Sequence, residues 1–397
     1  MRRLNIIVAA IFLGQAPAYA KDLNELIPGL FGGDGIILAP AAPPAVSHAP
    51  HFVVGSGSVI ENLNNSIASA VRPSPVTPSA GGITYEFDSV SGTYRETATT
   101  LGPLVAERPQ TLGKGKFSLQ VTTNYFDYDE FEGQSLDSLK VTAGHQFDAI
   151  PPNDSPQGLE NDIIDIDLDV DLRFISVVFG GTYGVTDKVD LSLLVPLINV
   201  DMDVGARAQI TPSPLNPTPA VHQFDPNGDQ PTDSASDDAT GVGDLLLGAK
   251  YYWLNEERYG VAGAVRVKFE TGDEDDFLGT GSTTILPFVI GSYKLTGFAN
   301  AHVNFGYEAD FNDSDRNVVA YAVGFDMGNQ KLTGAFDVLG RHEVHGDDTG
   351  TDVVDTSFGI KWSPIPDLFL VANVIVPVND DGLRSDFISI VGIEFRQ

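Results

Sequence analysis

Residues 162–174 read Asp162-Ile163-Ile164-Asp165-Ile166-Asp167-Leu168-Asp169-Val170-Asp171-Leu172-Arg173-Phe174, and charged and apolar side chains alternate from Ile164 onward. A helix would distribute the aspartates around its circumference, whereas a strand points successive side chains to opposite faces. The stretch therefore predicts a β-strand with one charged face and one apolar face.

Residues 1–20 have the features of a secretory signal peptide. Arg2 and Arg3 precede a short apolar core, and the small-residue sequence Ala18-Tyr19-Ala20 resembles a cleavage site. The apolar core is too short to span a bilayer as a helix, which disfavours an uncleaved anchor. We expect the mature chain to begin near Lys21.

The composition excludes several classes of function. The formal net charge is -31, and loss of Arg2 and Arg3 with the signal makes it -33 (-31 minus 2). This charge disfavours nucleic acid or an anionic lipid surface as a partner. There are no cysteines, so burial and strand pairing must stabilise the exported chain without disulfides.

The remaining chain divides into two parts. Residues 21–82 are rich in Ala, Pro, Gly and Ser, and we expect either a loose periplasmic leader or a plug inside a pore. Residues 83–397 contain alternating segments of about ten residues or more, with a weak candidate pair at 83–100. The clearer predicted strands are 117–127, 136–147, 163–185, 188–210, 241–254, 259–271, 282–295, 299–311, 317–327, 331–343, 353–362, 368–378 and 385–395.

Short connections alternate with long, mostly acidic ones, which is the pattern of an outer-membrane barrel with long acidic extracellular loops. We therefore predict an all-β fold, a transmembrane antiparallel β-barrel of roughly 12 to 14 strands in the outer membrane of a Gram-negative bacterium. Fourteen strands are preferred, because short turns on the periplasmic side would require a further strand before residue 117. A soluble sandwich is disfavoured because its strands are usually only ~5 to 6 residues long.

Charged side chains also share a face in later segments, such as Arg266 with Lys268 and His302 with Glu308. A barrel turns apolar faces to lipid and keeps charged residues in a watery lumen. The residues predicted to line the lumen or its vestibule are Asp165, Asp167, Asp169, Asp171, Arg173, Asp201, Asp203, Arg207, Asp244, Arg266, Lys268, Glu270, His302, Glu308 and Asp310.

A turn at Thr186-Asp187 predicts the register of the charged hairpin. Odd-numbered residues of its first strand would face inward, forming an acidic vestibule above an apolar throat that includes Ile175 and Phe179. A bulge is expected at Pro196, since proline cannot donate a ladder hydrogen bond. The predicted cross-strand pairs, including two in the next hairpin, are Arg173–Asp201, Asp171–Asp203, Asp167–Arg207, Asp244–Lys268 and Leu246–Arg266.

Motifs for catalysis do not stand out. No order of serine, histidine and aspartate is recognisable and no HExxH motif occurs, so an enzyme is not predicted. A barrel lipase with a hidden triad is the alternative.

One acidic loop has oxygen ligands at alternate positions, as calcium prefers. Its candidate ligands are Asp225, Asn227, Asp229 and Asp233. The loop lacks the terminal bidentate glutamate of an EF-hand, so a solvated loop is favoured over a weak calcium site. No other cofactor is predicted.

Three stretches carry a family resemblance. They are Gly102-Pro103-Leu104-Val105-Ala106-Glu107-Arg108 with Thr111-Leu112-Gly113-Lys114-Gly115, then residues 126–133, then Gly241-Val242-Gly243-Asp244-Leu245-Leu246-Leu247-Gly248-Ala249-Lys250-Tyr251 continuing to Gly281. Together they resemble the outer-membrane family labelled putative MetA-pathway of phenol degradation. The resemblance implies a monomeric barrel that takes up aromatic or other hydrophobic compounds.

These observations predict a channel or facilitator for passive uptake of small hydrophobic or aromatic molecules. Expected partners are outer-membrane lipid, a small-molecule solute and the barrel-assembly machinery, because residues 387–395 resemble a C-terminal insertion signal. The alternative is a structural or surface-interaction barrel without solute flux.

Overall fold

Strands dominate the computed structural model, which describes residues 22–31, 52–54, 63–64, 67, 85–88, 93–96, 100–145, 163–211, 224, 230–344 and 352–397. Twelve strands of this part of the chain form a closed barrel. They are β1 (Phe117–Phe131), β2 (Ile163–Thr186), β3 (Val189–Thr211), β4 (Leu245–Asn255), β5 (Tyr259–Phe269), β6 (Thr284–Thr296), β7 (Ala299–Asp310), β8 (Val318–Gly328), β9 (Leu332–Glu343), β10 (Val353–Ile365), β11 (Leu368–Pro377) and β12 (Ile388–Arg396).

Antiparallel pairing joins each barrel strand to its neighbours and returns from β12 to β1, where Ser389 lies opposite Tyr125. Hydrocarbon offers no water to the polar groups of an open sheet edge, so strands cross a bilayer only in a closed ladder. The predicted antiparallel barrel is confirmed.

The preference for fourteen strands is wrong. The short strand Leu139–His145 pairs with the upper part of β2, on the edge that β1 occupies lower down. It therefore continues β1 and does not cross the membrane again. The weak candidate at 83–100 contains Tyr85–Asp88 and Thr93–Glu96, which pair with each other in a separate two-stranded sheet.

The ends of the barrel chain lie beside its short turns. The N–H of Phe117 donates to the carbonyl of Gln397 at 3.0 Å. Short turns mark the periplasmic end of such barrels, so β1 begins there and needs no additional strand before it. The predicted long loops at 151–162, 212–240 and 345–352 lie partly or wholly outside the described residues, and the acidic character of the extracellular end stays a prediction. The loop prediction is wrong for the last part of 212–240, which belongs to the strand Thr232–Val242.

An apolar band covers the outside of the barrel. On β7, the outward Val303 and Phe305 are exposed, while the alternate residue His302 is buried. Aromatic residues are enriched outside the periplasmic end, namely Tyr183, Tyr251, Trp253, Tyr259, Tyr293, Trp362 and Phe395. Such a band and girdle fit a bilayer and its interface, and the protein is an outer-membrane barrel of a Gram-negative bacterium. No helix in the described ranges is long and apolar enough to cross a membrane.

Two strands project beyond the bilayer. β2 and β3 have 24 and 23 residues, whereas a strand needs about 9–11 to cross the hydrocarbon. Leu139–His145 pairs with the upper part of β2, and Thr232–Val242 pairs with the upper part of β3. The short strand Phe52–Val54 pairs with Leu139–His145 in turn. We call this five-stranded projection the extracellular sheet.

The predicted acidic vestibule is wrong, because the charges lie on the outer face of the extracellular sheet. Even-numbered residues face inward along all of β2 and β3, and Leu172 and Val200 are completely buried. The residues that face outward instead of lining the lumen are Asp165, Asp167, Asp169, Asp171, Arg173, Asp201, Asp203 and Arg207.

The position of the bilayer explains this correction. Lower on β2, the outward Ile175 and Phe179 are apolar because they face lipid, so the predicted apolar throat is also wrong. Above the bilayer the same side of the strand meets water, and aspartates occupy it. The outward side chains of β2 are therefore apolar within the bilayer and charged above it, although the same alternate positions face outward along the whole strand.

The three charged pairs predicted for this hairpin are confirmed, although its turn is Asp187-Lys188 instead of Thr186-Asp187 and its bulge lies elsewhere. The pairs Arg173–Asp201, Asp171–Asp203 and Asp167–Arg207 all occur. The register shifts between Gly184 and Thr186, beside the turn, whereas Pro196 pairs regularly with Val178. The turn therefore absorbs the extra residue, and the ladder above it stays in phase.

The predicted register of the next hairpin is wrong by two residues. Lys268 lies opposite Leu246, and Arg266 lies opposite Gly248, because Asp244 precedes β4 instead of belonging to it. The inward face is preserved, since a shift of two residues keeps the alternation. Asp244 Oδ2 still lies 3.5 Å from Lys268 Nζ.

Single-cysteine variants test which face of the extracellular sheet meets water, since the natural chain contains no cysteine. On intact cells, Asp171→Cys should react rapidly with a membrane-impermeant thiol reagent, because Asp171 is exposed. The neighbouring Val170→Cys should react far more slowly, because Val170 is 1% exposed. Faster labelling at residue 170 would show that the charged face points inward.

Candidate functional site

The periplasmic half of the lumen is filled by residues 100–116, which we call the plug. Residues 100–109 are all buried, although they belong to no helix or strand. Buried backbone groups need partners, and inward side chains of the barrel wall supply them here. The segment considered as a plug from its composition, residues 21–82, is described only in part.

Strand β9 holds the first part of the plug. Leu101 N–H donates to the Thr333 hydroxyl at 2.8 Å. Val105 and Ala106 donate their N–H groups to the carboxylate of Asp337 at 3.3 and 3.4 Å. Asp337 is completely buried, so this single carboxylate satisfies two adjacent backbone donors of the plug.

Glu107 fixes the middle of the plug to three barrel strands. Its N–H donates to Asn304 Oδ1 at 2.6 Å, and Asn304 Nδ2 donates back to the Glu107 carbonyl at 3.1 Å. Its carboxylate forms an ion pair with Arg266 and lies 3.9 Å from Lys250 Nζ. A buried carboxylate that lost these cations would be strongly destabilised.

The plug turns into β1 through a glycine-rich bend. Gly113 and Gly115 have φ angles of +94° and +78°, which L side chains rarely adopt. Gly115 N–H donates to the Gly184 carbonyl at 2.8 Å. A Cβ on Gly184 would lie 1.9 Å from the Gly113 carbonyl oxygen, so the backbone of β2 contacts the bend directly.

A serine, a histidine and an aspartate come together near the periplasmic end. Ser292 Oγ lies 2.6 Å from His302 Nδ1, and His302 Nε2 bonds Asp326. Asn300 Nδ2 links Asp326 to the Thr100 hydroxyl of the plug, at 3.1 and 3.0 Å. No order of these residues along the chain identifies this cluster, because its members are on three different strands.

The cluster has a structural explanation. Ser292 pairs with Gly260 on one side and His302 on the other. Backbone N–H groups around it are therefore committed to strand ladders and do not form the oxyanion site that acyl transfer requires. Through Asn300, the cluster holds the beginning of the plug.

Above the plug, the lumen contains a cavity of about 210 Å³. Val105 of the plug is among its lining residues. Its apolar wall is Leu246, Leu286, Phe288, Ala320, Ala322 and Leu339. Its charged lining residues are Arg266, Lys268, Glu308, Arg341 and Asp355. The cavity therefore combines an apolar wall with ionised groups.

Residues 22–31 cover the inner apolar face of the extracellular sheet. Their buried side chains, Leu23, Leu26, Ile27 and Leu30, belong to one hydrophobic cluster with residues of β2 and β3. Asn24 N–H donates to the Asp275 carbonyl at 3.0 Å. Burial raises the pKa of the nearby Asp276 carboxyl, and the N–H of Leu23 partly offsets that shift.

The other predicted lumen residues divide between the interior and its rim. The interior ones are Asp244, Arg266, Lys268, His302, Glu308 and Asp310. Asp310 accepts the N–H of Asn312 at 2.9 Å at the extracellular end. Glu270 is exposed just beyond β5 and accepts Asn312 Nδ2 at 3.2 Å, which places it on the rim.

The sequence analysis did not predict Asp337 and Arg341 as lumen residues. They share one face of β9, so the alternation of inward and outward residues along this strand could have identified them. Glu107 has no periodic signal, because the plug is neither helix nor strand.

The proposed calcium ligands Asp225, Asn227 and Asp229 lie outside the described residues. Asp233 is described, and it accepts the N–H of Phe31 at 2.6 Å. In the part of the chain with assigned positions, no group of three or more His, Cys, Asp or Glu is arranged to hold a metal. The weak calcium site stays a prediction.

The model of the family described as Putative MetA-pathway of phenol degradation matches residues 153–324. The family resemblance is confirmed. The matched range includes the third of the stretches that carried it, and no curated protein sequence matches the chain.

Three solved structures are similar at low identity. The COG4313 outer membrane channel from Pseudomonas putida F1 has a TM-score of 0.41 and 11% identity, covering 73% of this chain and 98% of that chain. The Ralstonia pickettii toluene transporter TbuX has a TM-score of 0.38 and 12% identity, covering 75% and 94%. The CymD monoaromatic hydrocarbon channel has a TM-score of 0.35 and 8% identity, covering 72% and 89%.

Weakening one wall contact should loosen the plug. Asp337→Ala leaves the N–H groups of Val105 and Ala106 without their acceptor, at a cost of about 1–3 kcal/mol per unsatisfied group. A cysteine at residue 105 should then react with a thiol reagent roughly tenfold faster or more, since 1.4 kcal/mol is a factor of ten.

The control variant is Asp203→Ala, which removes a carboxylate from the outer face of the extracellular sheet. It should leave the labelling rate of Val105→Cys unchanged. Equal rates in both backgrounds would mean that Asp337 does not hold the plug in place.

Proposed function

We propose that the protein is an outer-membrane channel for passive uptake of small hydrophobic or aromatic compounds. The observation that carries the proposal is the luminal cavity between the plug and the extracellular end. Its apolar wall faces inward, where the interior of a purely structural barrel would be closed by packed side chains. The family match and the names of the similar channels agree with this function.

The size of the cavity favours a solute with a single ring. An apolar cavity of about 150 Å³ is known to hold one benzene molecule. The cavity in this lumen is larger, at about 210 Å³, which leaves room for one or two substituents on the ring. A bulkier solute would require displacement of the plug or the wall.

Passage to the periplasm requires the plug to move. Two cavities of about 30 Å³ each lie along it, one beside Leu104 and the other beside Glu107. A cavity of this size holds a water molecule but not a ring. The contacts made by Thr333, Asp337 and Asn304 therefore oppose transport, and their rearrangement would permit it.

The buried plug also favours a second candidate, a structural or surface-interaction barrel that conducts nothing. Conductance of the reconstituted full-length protein in planar bilayers separates the two. Openings that carry current support the channel, whereas absence of both current and solute flux supports the structural barrel.

We further infer that the barrel acts as a monomer inserted by the barrel-assembly machinery. In the membrane-spanning part of the described chain, the closed ladder leaves no strand edge for a partner, and an apolar band suited to lipid surrounds it.

Filling the cavity should block transport. Ala320→Phe places a ring in the space beside Leu339, so single-channel conductance and solute flux should fall several-fold. Val319→Phe is the matched control, because the adjacent side chain points to the outer face and leaves the lumen unchanged. Similar conductance in the two variants would show that solutes do not pass through this cavity.

A further inference from the structure

We propose that the cavity prefers single-ring solutes that carry one negative charge, such as aromatic carboxylates or sulfonates. This inference rests on the proposed channel function and specifies the charge of its solute. Three cationic side chains line the cavity, namely Arg266, Lys268 and Arg341, against the two acidic side chains Glu308 and Asp355. An excess of cations is unusual for a chain whose formal net charge is -31.

The two arginines face the cavity more than their acidic partners do. Arg341 Nη2 lies 3.0 Å from Glu308 Oε2, and the two side chains are 36% and 10% exposed. Arg266 and its partner Glu107 are 23% and 7% exposed. Glu308 also accepts the Thr284 hydroxyl at 2.8 Å, which directs its charge toward the wall. The cavity surface therefore presents guanidinium groups with carboxylates behind them.

The remaining lining suits the ring of such a solute. The guanidinium of Arg266 lies over the ring of Phe288, 4.8 Å from its centroid, in the position of a cation–π contact. Ala320 and Ala322, which line the cavity from β8, have small side chains that leave space for the ring. A ring packed there would bring its acidic group toward Arg266 or Arg341, whose planar donors match carboxylate and sulfonate oxygens.

Asp355 is the acidic lining residue that opposes this preference. Its carboxylate lies 3.3 Å from Arg384 Nη1, and it is the more exposed partner of that pair. The two variants Arg341→Gln and Asp355→Asn should therefore change the charge preference in opposite directions.

The test measures flux of benzenesulfonate and of benzyltrimethylammonium into proteoliposomes, because each has one ring and a permanent charge that prevents diffusion through lipid. Wild-type protein should pass the anion faster than the cation. Arg341→Gln should lower the anion-to-cation flux ratio about tenfold, equivalent to about 1.4 kcal/mol, and Arg341→Lys should largely restore it. Asp355→Asn should raise the ratio.

The matched control is Arg207→Gln, which removes an arginine from the outer face of the extracellular sheet and should leave the ratio unchanged. Equal fluxes of the two probes in wild-type protein, or faster passage of the cation, would overturn the charge preference while leaving the channel function intact. Flux of neither probe would instead contradict the channel function. If the anion-to-cation flux ratio were unchanged in both Arg341→Gln and Asp355→Asn, these two residues would not determine the charge preference.

Discussion

The hydrocarbon of the bilayer offers no hydrogen-bonding partner, and the architecture of this protein depends on that constraint. Each spanning strand must pair on both sides, so the ladder runs from β1 through β12 and back to β1. Closure also divides space into lipid outside and a protein-lined lumen inside. A strand with alternating polar and apolar residues therefore turns its apolar face outward within the bilayer and inward above it.

The extracellular sheet shows this exchange along two strands. Within the bilayer, β2 directs Ile175 and Phe179 to lipid. Above it, the outward positions carry aspartates, and the inward Leu172 belongs to the same hydrophobic cluster as Leu23 and Leu26 of the N-terminal segment. Hydrophobic burial thus continues inside the projection after lipid contact ends outside, because the N-terminal segment supplies an apolar partner that lipid cannot supply there.

The lumen also contains an irregular segment, the plug, whose buried backbone groups need hydrogen-bonding partners. The plug has no helix or strand to satisfy its backbone, so side chains of the wall do so. Asp337 accepts two N–H groups, and Asn304 exchanges two hydrogen bonds with Glu107. Glu107 in turn neutralises Arg266, which also lines the cavity. Plug position and cavity charge are therefore coupled through one ion pair, and movement of the plug would change the charge that a solute meets.

The sequence by itself determined the class of fold and the faces of most strands, because alternation with a period of two is a local property. It also predicted the charged cross-strand pairs of β2 and β3, although the extra residue that this register requires lies beside the turn and not at Pro196. The number of strands required the tertiary structure, because 139–145 is a good strand whose partner, the upper part of β2, places it above the membrane.

In the charged hairpin of β2 and β3, tertiary structure alone decided which side of the strands was inside. Asp165 and Lys268 both alternate with apolar residues, yet the first faces water outside and the second faces the lumen. Alternation identifies two faces without saying what each one meets, and only the position of lipid, plug and N-terminal segment settles that. The plug was beyond sequence reasoning for a related reason, because its order comes from side chains distant in the chain and not from any pattern of its own.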